Sequence, residues 1–115
     1  MRGFTEIKIG GKKRPLHFGT NQTIKFCEAQ GITLNQQEEV YAKMSTGEIT
    51  GSEVRDLIWS ALDDGARIKK IERDFDAETV GDWMDDADQS EMVKAFSALT
   101  DSLPKGGSKK KAKAA

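Results

Sequence analysis

The chain has 115 residues and a mass of 12.7 kDa, the size of one small domain, which excludes a multidomain enzyme. Charged residues make up 32%, apolar ones 37%, and mean hydropathy is −0.61. These values describe a wet surface around one modest core, and no apolar run reaches the ~18 residues of a membrane span.

The net charge of −1 conceals an asymmetry. Lys105, Lys109, Lys110, Lys111 and Lys113 crowd the last eleven positions, leaving 13 of the 18 basic residues against all 19 acidic ones in residues 1–104, a net of −6. An acidic body repels nucleic acid at long range, so contact with DNA or RNA would have to run through the tail. The opening Met1-Arg2-Gly3-Phe4-Thr5-Glu6 lacks the apolar stretch of a secretory signal, and the single cysteine, Cys27, has no internal partner. Both set the expectation of a protein working in a reducing cytoplasm.

Ile7 and Ile9 alternate with Glu6 and Lys8, Gly10-Gly11 marks a turn, and Leu16 and Phe18 flank His17. That pattern predicts a β-hairpin, which must lay its Ile/Leu/Phe face on helices because two strands alone are marginal. From Thr20 or Asn21 the spacing predicts a helix with Ile24 and Cys27 on its apolar face, ended by Gly31. A second helix is expected from Asn35, with Asn35 and Glu38 as a capping box and Val40, Tyr41 and Met44 as the stripe. Ser45–Ile49 reads as a turn. Thr50 and Glu53 open a third helix, in which Val54, Leu57, Ile58, Ala61 and Leu62 fall at core spacing until a break near Gly65. Asp76 caps a short helix bearing Val80, Trp83 and Met84. Asp88 with Glu91 opens the last, along which Met92, Phe96, Leu99 and Leu103 follow until Pro104 stops it. The expected fold is α+β, mostly α, with an N-terminal hairpin packed on about five helices. Residues 1–104 form the domain and 105–115 a Lys-rich tail that reads as disordered.

Few residues offer chemistry. His17 falls out of phase with Leu16 and Phe18, which places it on the solvent face without a partner for acid–base work. Cys27 has no second thiol or histidine to complete a metal set and reads as a small buried hydrophobe. Asp74, Asp76, Glu78 and Asp85 take spacings of a calcium loop, but Thr79 stands where the sharp turn needs glycine. Gly10-Gly11-Lys12-Lys13-Arg14 lacks the spacing and hydroxyl of a phosphate loop and reads as a basic hairpin tip. No catalytic residue, cofactor site or metal site emerges. The candidates for partner contact are Trp59, which flanks the core on the third helix, Trp83, which reads more as core, and the tail lysines Lys109, Lys110 and Lys111. Without an interleaved aromatic, that tail offers only weak, salt-sensitive and sequence-blind attraction to nucleic acid.

The run Ile7-Lys8-Ile9-Gly10-Gly11-Lys12-Lys13-Arg14-Pro15-Leu16-His17-Phe18-Gly19, followed by Phe26-Cys27-Glu28 and Gly31-Ile32-Thr33-Leu34, resembles the opening of the tail assembly chaperones of long-tailed bacteriophages. The similarity continues through Leu57-Ile58-Trp59-Ser60-Ala61-Leu62, Gly65-Ala66-Arg67 and Val80-Gly81-Asp82-Trp83-Met84-Asp85 to the closing helix, over residues 4–103. Its motifs are patterns of apolar residues and turns, and Trp59 stands where relatives often carry an aliphatic residue or tyrosine. The resemblance implies a non-enzymatic protein of the host cytoplasm that binds the tape measure protein, keeps it soluble until tail tube subunits polymerise, and is absent from the finished virion. It further implies several copies per tape measure, with self-association and contact with the tail tube protein as additional interactions, and no membrane partner. Such chaperones are often made in two lengths by ribosomal frameshifting, and an adenine run encoding Lys109-Lys110-Lys111 would supply the slippery site. The alternatives are a small regulatory or nucleic-acid-associated protein acting through its basic tail, and a structural component of a phage head or tail.

Overall fold

The computed structural model describes residues 2–103. Strands β1 (Phe4–Ile9) and β2 (Lys12–His17) are followed by helices α1 (Thr20–Gln30), α2 (Leu34–Thr46), α3 (Gly51–Lys69), α4 (Ala77–Asp86) and α5 (Gln89–Ser102). This is the hairpin-plus-helices architecture expected from the sequence. The Lys-rich tail lies outside the described residues.

The strands pair antiparallel from Phe4 opposite His17 to Ile9 opposite Lys12. Gly10 and Gly11 both have positive φ, 64° and 83°, the backbone a two-residue hairpin turn demands. Ile7, Ile9 and Leu16 point to one face and are buried with Phe18. Helix α5 lies along β1 and α3 along β2, so the ribbon is the floor of the core rather than a free sheet. Phe26, Leu57, Ile58, Ala61, Leu62, Val80, Ala95 and Leu99 fill the space above it.

Helix α3 begins as read: Thr50 Oγ1 accepts from the Glu53 amide, and Glu53 Oε1 accepts from the Thr50 amide at 2.8 Å. It does not break at Gly65. A Cβ there would lie 2.3 Å from the Pro15 carbonyl oxygen and 2.7 Å from the Leu16 Cα, so the missing side chain is what lets α3 approach β2. The helix runs on to Lys69 and ends at Lys70, which takes the left-handed conformation (φ 58°) while the Ile71 amide reaches back to the Ala66 carbonyl.

Three other expectations are corrected. Helix α1 turns Gln22 and Phe26 inward, leaving Ile24 51% exposed and Cys27 half-buried. Gln22 tolerates full burial because its Nε2 donates to Ser60 Oγ at 3.1 Å, and Ser60 donates to the Leu57 carbonyl. Helix α2 starts at Leu34, and its N-cap is Thr33 rather than Asn35. Its capping box is Thr33 with Gln36, whose Oε1 accepts from the Thr33 amide at 2.8 Å. Asp88 stands at the N-terminus of α5 without a side-chain cap bond, and the Glu91 carboxylate, the other half of the expected box, accepts instead from the Lys8 amide at 2.7 Å and ties the helix to β1. That bond, with Lys94 beside it, holds the Glu91 carboxyl below its usual range.

Candidate partner-binding surface

His17 does not face solvent. Although it lies opposite the Leu16 and Phe18 side chains, α3 covers that side too, and His17 Nδ1 lies 2.7 Å from Asp64 Oδ2. The second oxygen of Asp64 accepts from Arg67 Nε at 2.8 Å. Burial pushes the Asp64 carboxyl up, but these two donors outweigh it and hold the group below its ordinary value. An ionised carboxylate only accepts, so Nδ1 carries the histidine proton. One helical step away, Asp63 pairs with Lys25 (2.9 Å) and Arg73 (2.9 Å). Every charge in this network has a partner, and its evident work is to fasten α1, the end of α3 and the following loop to β2.

The hairpin tip is likewise engaged from within. Arg14, read from the sequence as part of a basic hairpin tip, is buried. Its Nε donates to the Ile9 carbonyl at 2.9 Å, one terminal nitrogen to the Gly10 carbonyl, and the other to Asp74 at 2.8 Å. The guanidinium carbon sits 4.1 Å from the Trp83 ring centroid, and Phe75 meets the same indole at 5.7 Å. A Cβ on Gly10 would fall within 2.5 Å of the Trp83 ring atoms, so the turn glycine also makes room for the indole. Arg14 therefore locks the hairpin to the α3–α4 connection, and Trp83 spends its faces on that lock. Trp59 is half-buried with Lys25 Nζ 5.6 Å from its ring centroid. The structure does not bring the two tryptophans into one cluster, and Lys109, Lys110 and Lys111 lie outside the described residues.

A different surface stands out. The stripe expected on α5 meets the core: Leu99 is buried, Met92, Phe96 and Leu103 pack half-buried against it, and Ala95 and Ala98, outside the expected stripe, are buried beside them. Val93 and Thr100 lie along the outer edge of that stripe at the ~100° advance per residue of an α-helix. Val93 is 57% exposed, and Val93, Phe96 and Thr100 line an open hollow. At its far end, Leu103 and Leu99 meet Tyr41 and Met44 of α2 around a cavity of about 320 Å³. Burial pushes the Tyr41 phenol up to about 12, so it stays neutral in this cleft. The two alanines were the signal that could have been read from sequence: small residues mark the side of α5 that approaches the body closely.

Among the described residues, no group of three or more His, Cys, Asp or Glu side chains is placed to hold a metal ion. Nor is any helix among the described residues long and apolar enough to cross a membrane. Comparison with known protein families, curated proteins and solved structures finds no match for this chain.

Proposed function

We propose that this protein is a phage tail assembly chaperone, which binds the tape measure protein stoichiometrically and without catalysis and keeps it soluble while the tail is built. The observation that carries the reading is the open hollow on α5 at the exposed Val93, continuous through Thr100 with the half-open cleft against α2. Val93 lies outside the stripe that serves the core and has no structural need to be apolar. Such a surface fits the apolar face of a long helical client. The acidic body supports the same reading, since a net −6 over residues 1–104 keeps a loaded complex from coalescing. In this account the chaperone acts in the host cytoplasm, several copies coat one client, and polymerising tube subunits displace them before the virion is complete.

Co-expression with a candidate tape measure protein from the same genome tests the proposal. The tape measure is expected to move from the pellet to the soluble fraction, and Val93→Glu, at a 57% exposed position, is expected to abolish the gain while leaving the chaperone folded. A tape measure equally insoluble with and without the chaperone would refute the reading.

A further inference from the structure

The cleft beside α5 is covered on one side by α2. This helix is strung between Gly31 (φ 68°) and Gly47 (φ 78°), both left-handed, so either end can reorient without steric cost to a side chain. Its inward side is thin: Gln37 and Val40 are buried, while Tyr41 and Met44 are half-buried beside the cavity. Two polar contacts tie it across to its neighbours, Gln37 Nε2 to Thr23 Oγ1 on α1 (3.2 Å) and Lys43 Nζ to Glu53 Oε2 on α3 (2.7 Å). Leu34, at its start, is 66% exposed.

We infer that α2 is a displaceable strap occupying the place of a client helix: it swings out on its glycine ends, and an amphipathic helix of the client takes its seat against α1 and α5. This rests on the chaperone reading for the identity of the client. What the seat accepts is read from the strap itself, a helix presenting Gln37, Val40, Tyr41 and Met44 at i, i+3, i+4 and i+7 with polar residues elsewhere. The open hollow at the exposed Val93 continues the seat, so a client helix longer than the 13 residues of α2 covers both. The strap also keeps the seat from sticking to other chains before a client arrives, and the affinity for the client is set by how often the strap is open.

The test uses the full chain and needs no client. Hydrogen exchange is expected to show α2 amides opening roughly a hundredfold more often than those of α3. A fluorescent peptide spanning residues 33–47 of this chain, added in trans, is expected to bind a Gln37→Ala/Lys43→Ala variant about tenfold more tightly than wild type, and a scrambled peptide is expected not to bind. Lys43→Ala alone, which alters a partly exposed side chain, gives the same direction with a smaller gain should the double variant fold poorly. Exchange of α2 only at the rate of α3, or peptide binding unchanged by loosening the strap, would overturn the inference. Because neither readout involves a tape measure, a strap that opens beside an unrescued tape measure refutes the chaperone reading alone. A rescued tape measure with a strap that never opens refutes the strap alone.

Discussion

Replacing Gly65 with alanine sets two effects against each other within α3. In an exposed helix the change stabilises by about 1 kcal/mol, since alanine has less backbone freedom to lose. Here the new Cβ would lie 2.3 Å from the Pro15 carbonyl oxygen, 2.5 Å from its carbon and 2.7 Å from the Leu16 Cα, all main-chain atoms with no rotamer to escape into. Restoring ordinary contact means moving α3 off β2 by most of an ångström, which puts the cost near the upper end of overpacking, about 3 kcal/mol. The net is a loss of about 2 kcal/mol, or roughly 8–16 °C in Tm for a domain of this size. Thermal unfolding followed by circular dichroism measures it, with Gly51→Ala as control because no heavy atom lies within 4 Å of a Cβ there. A Gly65→Ala protein as stable as wild type would refute the close approach of α3 to β2.

Four further outcomes are expected. Lys70→Gly relieves a left-handed lysine (φ 58°) and raises stability by about 1 kcal/mol, seen as a higher urea midpoint with an unchanged slope. Arg14→Lys keeps the charge but loses the fork that reaches Ile9, Gly10 and Asp74, costing about 2 kcal/mol in the same assay; a neutral result would mean the guanidinium geometry does no work. Thr50→Ala removes the cap of α3 for about 1 kcal/mol. Acid should destabilise the fold through two carboxylates: Asp64, where Arg67 and His17 outweigh burial, and Glu53, held down first by its bond to Lys43. Because both folded pKa values lie below the unfolded ones, their stabilisation is complete above the ordinary carboxylate range and is lost as pH falls through that range toward the folded values. Urea midpoints between pH 7 and pH 3 should therefore decline, and Asp64→Asn should flatten the decline; identical profiles for variant and wild type would contradict the assignment.

What the sequence made legible were the elements whose signals are local. The Gly10-Gly11 turn, the Thr50/Glu53 box and the Asp76 cap, whose carboxylate accepts from the Thr79 amide at 2.8 Å, depend on residues within four positions of each other. What stayed hidden depends on partners far along the chain. Gln22 is buried in place of Ile24 only because Ser60 waits 38 positions away, and Gly65 continues a helix only because β2 needs its empty side. His17 follows the alternation correctly but meets α3 instead of water, through Asp64 at a separation of 47. Helix α2 was read as capped by Asn35 with Glu38, whereas Thr33 and Gln36 form the box. For the candidate surface, the stripe of α5 was legible and packs on the core, but the burial of Ala95 and Ala98 and the exposure of Val93 were not, since they depend on how closely α5 lies on the body.

Whether the protein works by covering an apolar client, as proposed, is decided by native mass spectrometry of the complex copurified with a tagged tape measure protein. Several copies of the chain per tape measure are expected, falling to none with Val93→Glu. A tape measure purified free of this protein, or carrying the variant at the wild-type ratio, would refute the proposal.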